Sequence, residues 1–176
     1  MSGWIQIVLV WCLPTSPMPV GVPAPFHFYC NVGYAVPDCR LKLRRLQDVL
    51  GSLNPAQLGE WTWILVRSED WKPILRRVGR DPDSPAFTIL ASRQTFLEDA
   101  LFDADPVRSR TLVERWRVPR DKLLAFAVAH ELGHAVCAET DEANAIRYAE
   151  QLLGRGAAAC ARHVPGQGEK RGSDAR

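Results

Sequence analysis

The chain has no marked excess of charge of either sign. Lys and Arg number 22 against 20 Asp and Glu, a net charge of +2. Such a balance gives no broad field to draw in nucleic acid or an anionic membrane. A Cys-x-x-Cys pair is missing too: Cys12, Cys30, Cys39, Cys137 and Cys160 are spread too widely for a cysteine zinc site or a redox motif. No apolar run reaches the roughly 20 residues that a bilayer span requires. The N-terminal stretch Trp4 to Leu13 is too short, so stable membrane insertion is not expected. There is no internal repeat, and no Lys or Arg precedes Arg40.

What is present suffices for one core. A chain of 176 residues with 47% hydrophobic content favours a single domain. Residues 1–25 have two readings. One is a secretory signal peptide, with an apolar region and small residues at Val22 and Ala24, although the usual basic start is missing. The other is an N-terminal strand in which Ile5, Ile7 and Leu9 alternate with their neighbours. The first places the protein outside the cell or in a periplasm, the second in the cytoplasm. Removing a signal peptide leaves four cysteines, and Cys30 and Cys39 can then pair across a short loop.

The element order argues an α+β fold for residues 26–154. Phe26 to Ala35 suggests a strand or loop entering the domain. Pro37-Asp38 opens a helix with Leu43, Leu46, Leu50 and Leu53 at helical spacing. WTWILV, Trp61 to Val66, reads as a strand buried on both faces. Ser68 is placed to cap a short helix carrying Trp71, Ile74, Leu75 and Val78, which Gly79 stops. Ala86 to Ala91 is a second strand, and a helix around 108–117 is expected to bury Leu112, Val113 and Trp116. Residues 155–176 lose apolar periodicity and are expected to form a disordered tail.

The chemistry lies on the helix predicted to start at Pro119. Between Leu123 and Ala138 the strongly polar side chains are His130, Glu131 and His134, so this helix should be central to the core. Residues four apart share a helix face, which lets His130 and His134 present nitrogens to one metal ion. Glu131, one helical step away, points beside the metal and can take a proton from a water that the metal activates. That is the content of H-E-x-x-H: two neutral ligands, an adjacent general base and an open position. The competing reading is a buried His pair satisfied by backbone or carboxylate.

A third ligand is sought after the helix, among Glu139, Asp141, Glu142 and Glu150. Thr140 or Asp141 suits the N-cap of a final helix. On that helix Glu142 heads the face carrying Ala145, Ile146, Ala149, Leu152 and Leu153, where a carboxylate is costly without a cation. Glu142 is therefore the expected third ligand, against the alternative of a first-turn glutamate favoured by the helix dipole. Cys137 shares the His134 face but is read as a core residue. Tyr148 and Arg93 are candidates to stabilise an oxyanion.

HELGHAVC followed by DEANAIRYAEQLL resembles the zincin metallopeptidases in which a glutamate on the next helix completes a His, His, Glu site. It is most similar to the pattern of the ImmA/IrrE-like peptidases, E-x-x-A-x-x-[FY]-A-x-x-L-L, matched by Glu142, Ala145, Tyr148, Ala149, Leu152 and Leu153. The match covers about residues 119–154; the interval from His134 to Glu142 is shorter than in that family, and a Met-Pro ending is absent. The resemblance implies a zinc-dependent peptidase, a hydrolase acting on peptide or protein substrates. Its small sheet would pack on the HExxH helix, with substrate extended along an edge strand, either Phe87–Ala91 or Thr95–Leu97. The alternative function is a zincin-like metal-binding regulatory or binding module without efficient hydrolysis. No oligomeric state is implied.

Overall fold

The computed structural model describes residues 26–55, 58–102 and 106–160. The two readings of residues 1–25, the tail beyond residue 160 and Cys12 lie outside the described residues. The described residues form a mixed α+β domain of four strands and five helices.

Strand β1 (Phe26–Cys30) leads into helix α1 (Val36–Leu53), then β2 (Trp61–Val66) and α2 (Ser68–Val78). Next come β3 (Ala86–Ile89), β4 (Gln94–Glu98), α3 (Pro106–Trp116), α4 (Leu123–Cys137) and α5 (Glu142–Arg155). The sheet order is β1-β2-β4-β3, with β1, β2 and β4 parallel and β3 antiparallel at one edge. Of the two proposed edge segments, Ala86–Ile89 is the edge, whereas Thr95–Leu97 lies inside the sheet between β2 and β3.

Side-chain alternation divides the molecule into three layers. Ile64 and Val66 of β2 join Phe87, Phe96, Trp71 and Leu75 beneath α2. Trp61, Trp63 and Leu65 face the larger core built by α1, α4 and α5. Both faces of β2 are thus covered, as its uninterrupted apolar run implies. Helix α1 contributes Leu43, Leu46, Leu50 and Leu53 at the expected spacing, and Cys39 in its first turn is disulfide-bonded to Cys30 at the end of β1.

Several local expectations are corrected. Ser68 is the first residue of α2 rather than its cap, and its backbone N–H and hydroxyl both donate to Asp99 Oδ1. Gly79 ends α2 in the left-handed conformation, as anticipated. Strand β3 stops at Ile89 because Leu90–Ser92 form a 3₁₀ turn that brings β4 back beside it. Proline 119 precedes a 3₁₀ turn at Arg120–Lys122, so α4 begins only at Leu123.

The predicted tail begins too early. Helix α5 runs through Arg155, and Cys160 is disulfide-bonded to Cys137 at the C-terminal end of α4. Cys137 is therefore half of a cystine rather than a free core thiol, and its bonded sulfur is not a thiolate that could bind metal. Among the described residues no helix is long and apolar enough to cross a membrane.

Candidate metal centre

Helix α4 is buried along almost its whole length, from Leu123 to Gly133. Such a helix cannot place imidazoles and a carboxylate inside without giving them partners. His130 and His134, one turn apart, turn their Nε2 atoms toward each other at 3.1 Å. The Glu142 carboxylate closes the triangle, with Oε2 3.1 Å from His130 Nε2 and Oε1 3.6 Å from His134 Nε2.

How Glu142 arrives there is a matter of two small residues. Ala138 adopts a left-handed conformation (φ 48°) that ends α4, and the N–H groups of Ala138 and Glu139 both donate to His134 O. Asp141 caps α5 by accepting from Asn144 N at 3.0 Å. Gly133 then lets the two helices approach closely: a Cβ there would lie 3.1 Å from Ala145 Cα and 3.2 Å from Tyr148 Cβ. This tight reversal is how so short an interval after His134 still returns a carboxylate to the histidines.

The sequence placed Glu142 at the head of a buried face, and that part is corrected. Its side chain is 70% exposed, because the first turn of α5 forms the rim of an open cavity and the buried stripe starts at Ala145. The cavity, about 390 Å³, has His130, Glu131 and His134 on one side, edge strand β3 on another and Glu139–Glu142 at its mouth.

Electrostatics follow this geometry. Hydrogen bonds with His130 and then His134 hold the Glu142 carboxyl far below the usual carboxylate range. For His134, burial disfavours the charged ring, but hydrogen bonding to Glu142 and the nearby Glu131 carry its value above the ordinary one. His134 Nδ1 lies 2.7 Å from Glu139 O, an acceptor only, so Nδ1 carries the proton and Nε2 is left to face the cluster. Glu131 is 2% exposed; burial raises its pKa, against the pull of the two histidines and a hydrogen bond from Thr88.

The donor set fits a metal ion. One ligand atom each from His130, His134 and Glu142 lie within 4.8 Å of one another. Two nitrogens on a tetrahedral zinc stand about 3.3 Å apart given the usual bond lengths, close to the 3.1 Å seen here. The three residues thus form a group that could hold a metal ion.

Other sequence candidates are elsewhere. Tyr148 is half-buried against the main core and lines a separate cavity, and Arg93 caps the 3₁₀ turn after β3. Neither lines the cavity at the histidines. Glu139, set aside as a ligand, instead accepts from Thr140 N, Asp141 N and Asn144 Nδ2. Three features escaped sequence reasoning: the backbone carbonyl of Glu139, the Cys137–Cys160 bond and the buried hydroxyl of Thr88. For the last a signal existed, since Thr88 is the one polar residue inside the apolar strand AFTILA.

No family model matches the chain, and no curated protein matches it.

Proposed function

We propose that the protein is a zinc-dependent peptidase of zincin type, with His130, His134 and Glu142 as metal ligands and Glu131 as general base. The observation that carries this reading is the convergence of the three ligand atoms beside a buried glutamate, in an open cavity bordered by a sheet edge. Bound zinc would supply a Lewis acid that polarises a carbonyl and acidifies water.

The chain's own residues supply the rest. Glu131 sits one helical step from His130 and lines the same cavity, where it can accept a proton from the attacking water and return it to the leaving amine. The cavity opens along β3, whose outer edge pairs with no other strand among the described residues. An extended peptide laid there would pair with that edge in place of Arg80 Nη2 and Ser84 Oγ, which donate to Thr88 O and Ala86 O. Two disulfides in so small a domain favour an oxidising compartment, and hence export.

Replacing Glu131 by Gln tests the assignment. The variant should retain wild-type zinc content and lose peptide cleavage by about a hundredfold or more. Unchanged cleavage would remove Glu131 from the mechanism. A zinc-loaded wild-type protein that cleaves no peptide would instead favour the regulatory or binding module.

A further inference from the structure

Helix α2 ends in a way that fixes Arg80. Gly79 is left-handed, and the N–H of Arg80 reaches back to Leu75 O at 3.0 Å. From that anchor the exposed side chain runs to the edge of β3, where Nη2 donates to Thr88 O at 3.2 Å. It lines the cavity that holds His130, Glu131 and His134, and it is the only Lys or Arg to do so among the described residues. A neutral carbonyl uses little of what a guanidinium offers, since its planar fork of donors matches a carboxylate. No carboxylate pairs with Arg80 among the described residues.

The acids around the cavity are engaged elsewhere. Asp81 accepts from Arg115 at 2.8 Å and from Asp83 N at 2.9 Å. Glu139 accepts from two backbone N–H groups and the Asn144 amide, Glu142 lies against the two histidines, and Glu131 is buried on α4. A peptide that pairs with the β3 edge gives Thr88 O one of its own N–H groups, so Arg80 must find another acceptor beside that peptide. The cavity volume of about 390 Å³ is that of a sphere roughly 9 Å across, or two to three residues of extended chain at about 3.3 Å each. The displaced guanidinium is thus confined to the few residues nearest the histidines.

We propose that Arg80 is a specificity-determining residue that selects peptides with a carboxylate, from an Asp or Glu side chain or a free C-terminus, within about three residues of the scissile bond. This names a substrate class and rests on the peptidase reading of the site. With no peptide bound, Arg80 covers the β3 edge; with an acidic peptide it exchanges the carbonyl for a two-bond contact to the carboxylate. A basic residue in the same place meets like charge and is disfavoured.

The test has a cleavage arm and a binding arm, with zinc content and circular dichroism measured for every variant. In the first, zinc-loaded wild type, Arg80→Gln and Arg80→Glu are incubated with a library of random peptides made with free and with amidated C-termini, and cut sites are read by mass spectrometry. Wild type should favour Asp and Glu, or free over amidated ends, by about tenfold at one position near the cut. Enriched Asp and Glu assign the side-chain carboxylate, and enriched free ends assign the terminal one. Arg80→Gln should lose the preference, and Arg80→Glu should turn it toward Lys and Arg. Cleavage without an acidic preference, or a preference unchanged in Arg80→Gln, overturns the proposal and leaves the peptidase reading standing. The second arm does not need cleavage: immobilised zinc-loaded Glu131→Gln is offered the same library beside the double variant Glu131→Gln, Arg80→Gln. Acidic or free-ended peptides should be retained by the first and not by the second. Such retention beside a wild type that cuts nothing would refute the peptidase reading alone, whereas no such retention beside that inactive wild type would overturn both.

Discussion

At the scale of single residues, buried charge divides into what the site needs and what the fold needs. Glu98 is buried at the end of β4, and Arg108 holds it through Nε and Nη2 at 3.0 and 2.7 Å. Burial raises the Glu98 pKa despite that partner. Arg108→Ala should therefore destabilise the protein by about 3–5 kcal/mol, because an uncompensated carboxylate stays inside; chemical denaturation of the variant checks this. Asp70 behaves oppositely. The Asn31 amide first, and Arg67 second, hold its carboxyl below the ordinary range. A group depressed in the folded state contributes stability above its unfolded pKa and loses it as pH falls through the folded value. Asn31→Ala should thus move the acid-unfolding midpoint upward, as read by circular dichroism across an acid titration. None of these pairings is legible in the sequence, since Glu98, Arg108, Asn31 and Asp70 meet only when β1, α2, β4 and α3 are assembled. His130, Glu131 and His134 were legible because their relation is local to one helix.

At the scale of elements, α4 and α5 act as a unit. Gly133 permits their close approach, and the left-handed turn at Ala138 brings Glu142 back over the histidines. Gly133→Ala puts a methyl against the backbone of Ala145, which cannot move aside as a flexible side chain could. The variant should fold less stably by about 1–3 kcal/mol and bind zinc at least about tenfold more weakly, because α5 must shift and carry Glu142 with it; zinc competition titration beside thermal unfolding measures both. Periodicity found both helices and picked Glu142 among four acidic candidates. It misjudged that residue's burial, because a helix's apolar stripe does not reveal whether its first turn lies under a neighbour or on a cavity rim. The strand WTWILV was readable end to end for a simple reason: covered on both faces, it has no solvent face to interrupt the pattern.

At the scale of the whole molecule, one disulfide, Cys30–Cys39, lies inside the core, and the other fastens a segment that follows the last helix. The Cys137–Cys160 bond closes a loop of 23 residues around α5 and ties the chain after it to the end of α4, the helix of the candidate metal centre. Cys160→Ser should cost about 3 kcal/mol through loop entropy, visible as a lower melting temperature under oxidising conditions and a smaller difference from wild type under reducing ones. Sequence spacing suggested Cys30–Cys39 because they stand nine positions apart; nothing comparable marked Cys160, which falls where apolar periodicity has already ended. The α+β class and most of the element order were readable because alternating and helical patterns are local; β4 was read only as a candidate edge segment, Thr95–Leu97, and strand order and the edge position of β3 depend on pairing across the chain.

Zinc stoichiometry after reconstitution of metal-free protein tests the central claim most directly. Wild type and Glu131→Gln should each take up about one zinc per chain, and Glu142→Ala should bind it at least about tenfold more weakly. A wild-type chain that takes up no zinc, or a Glu142→Ala variant that binds it as tightly as wild type, would contradict the three-ligand centre.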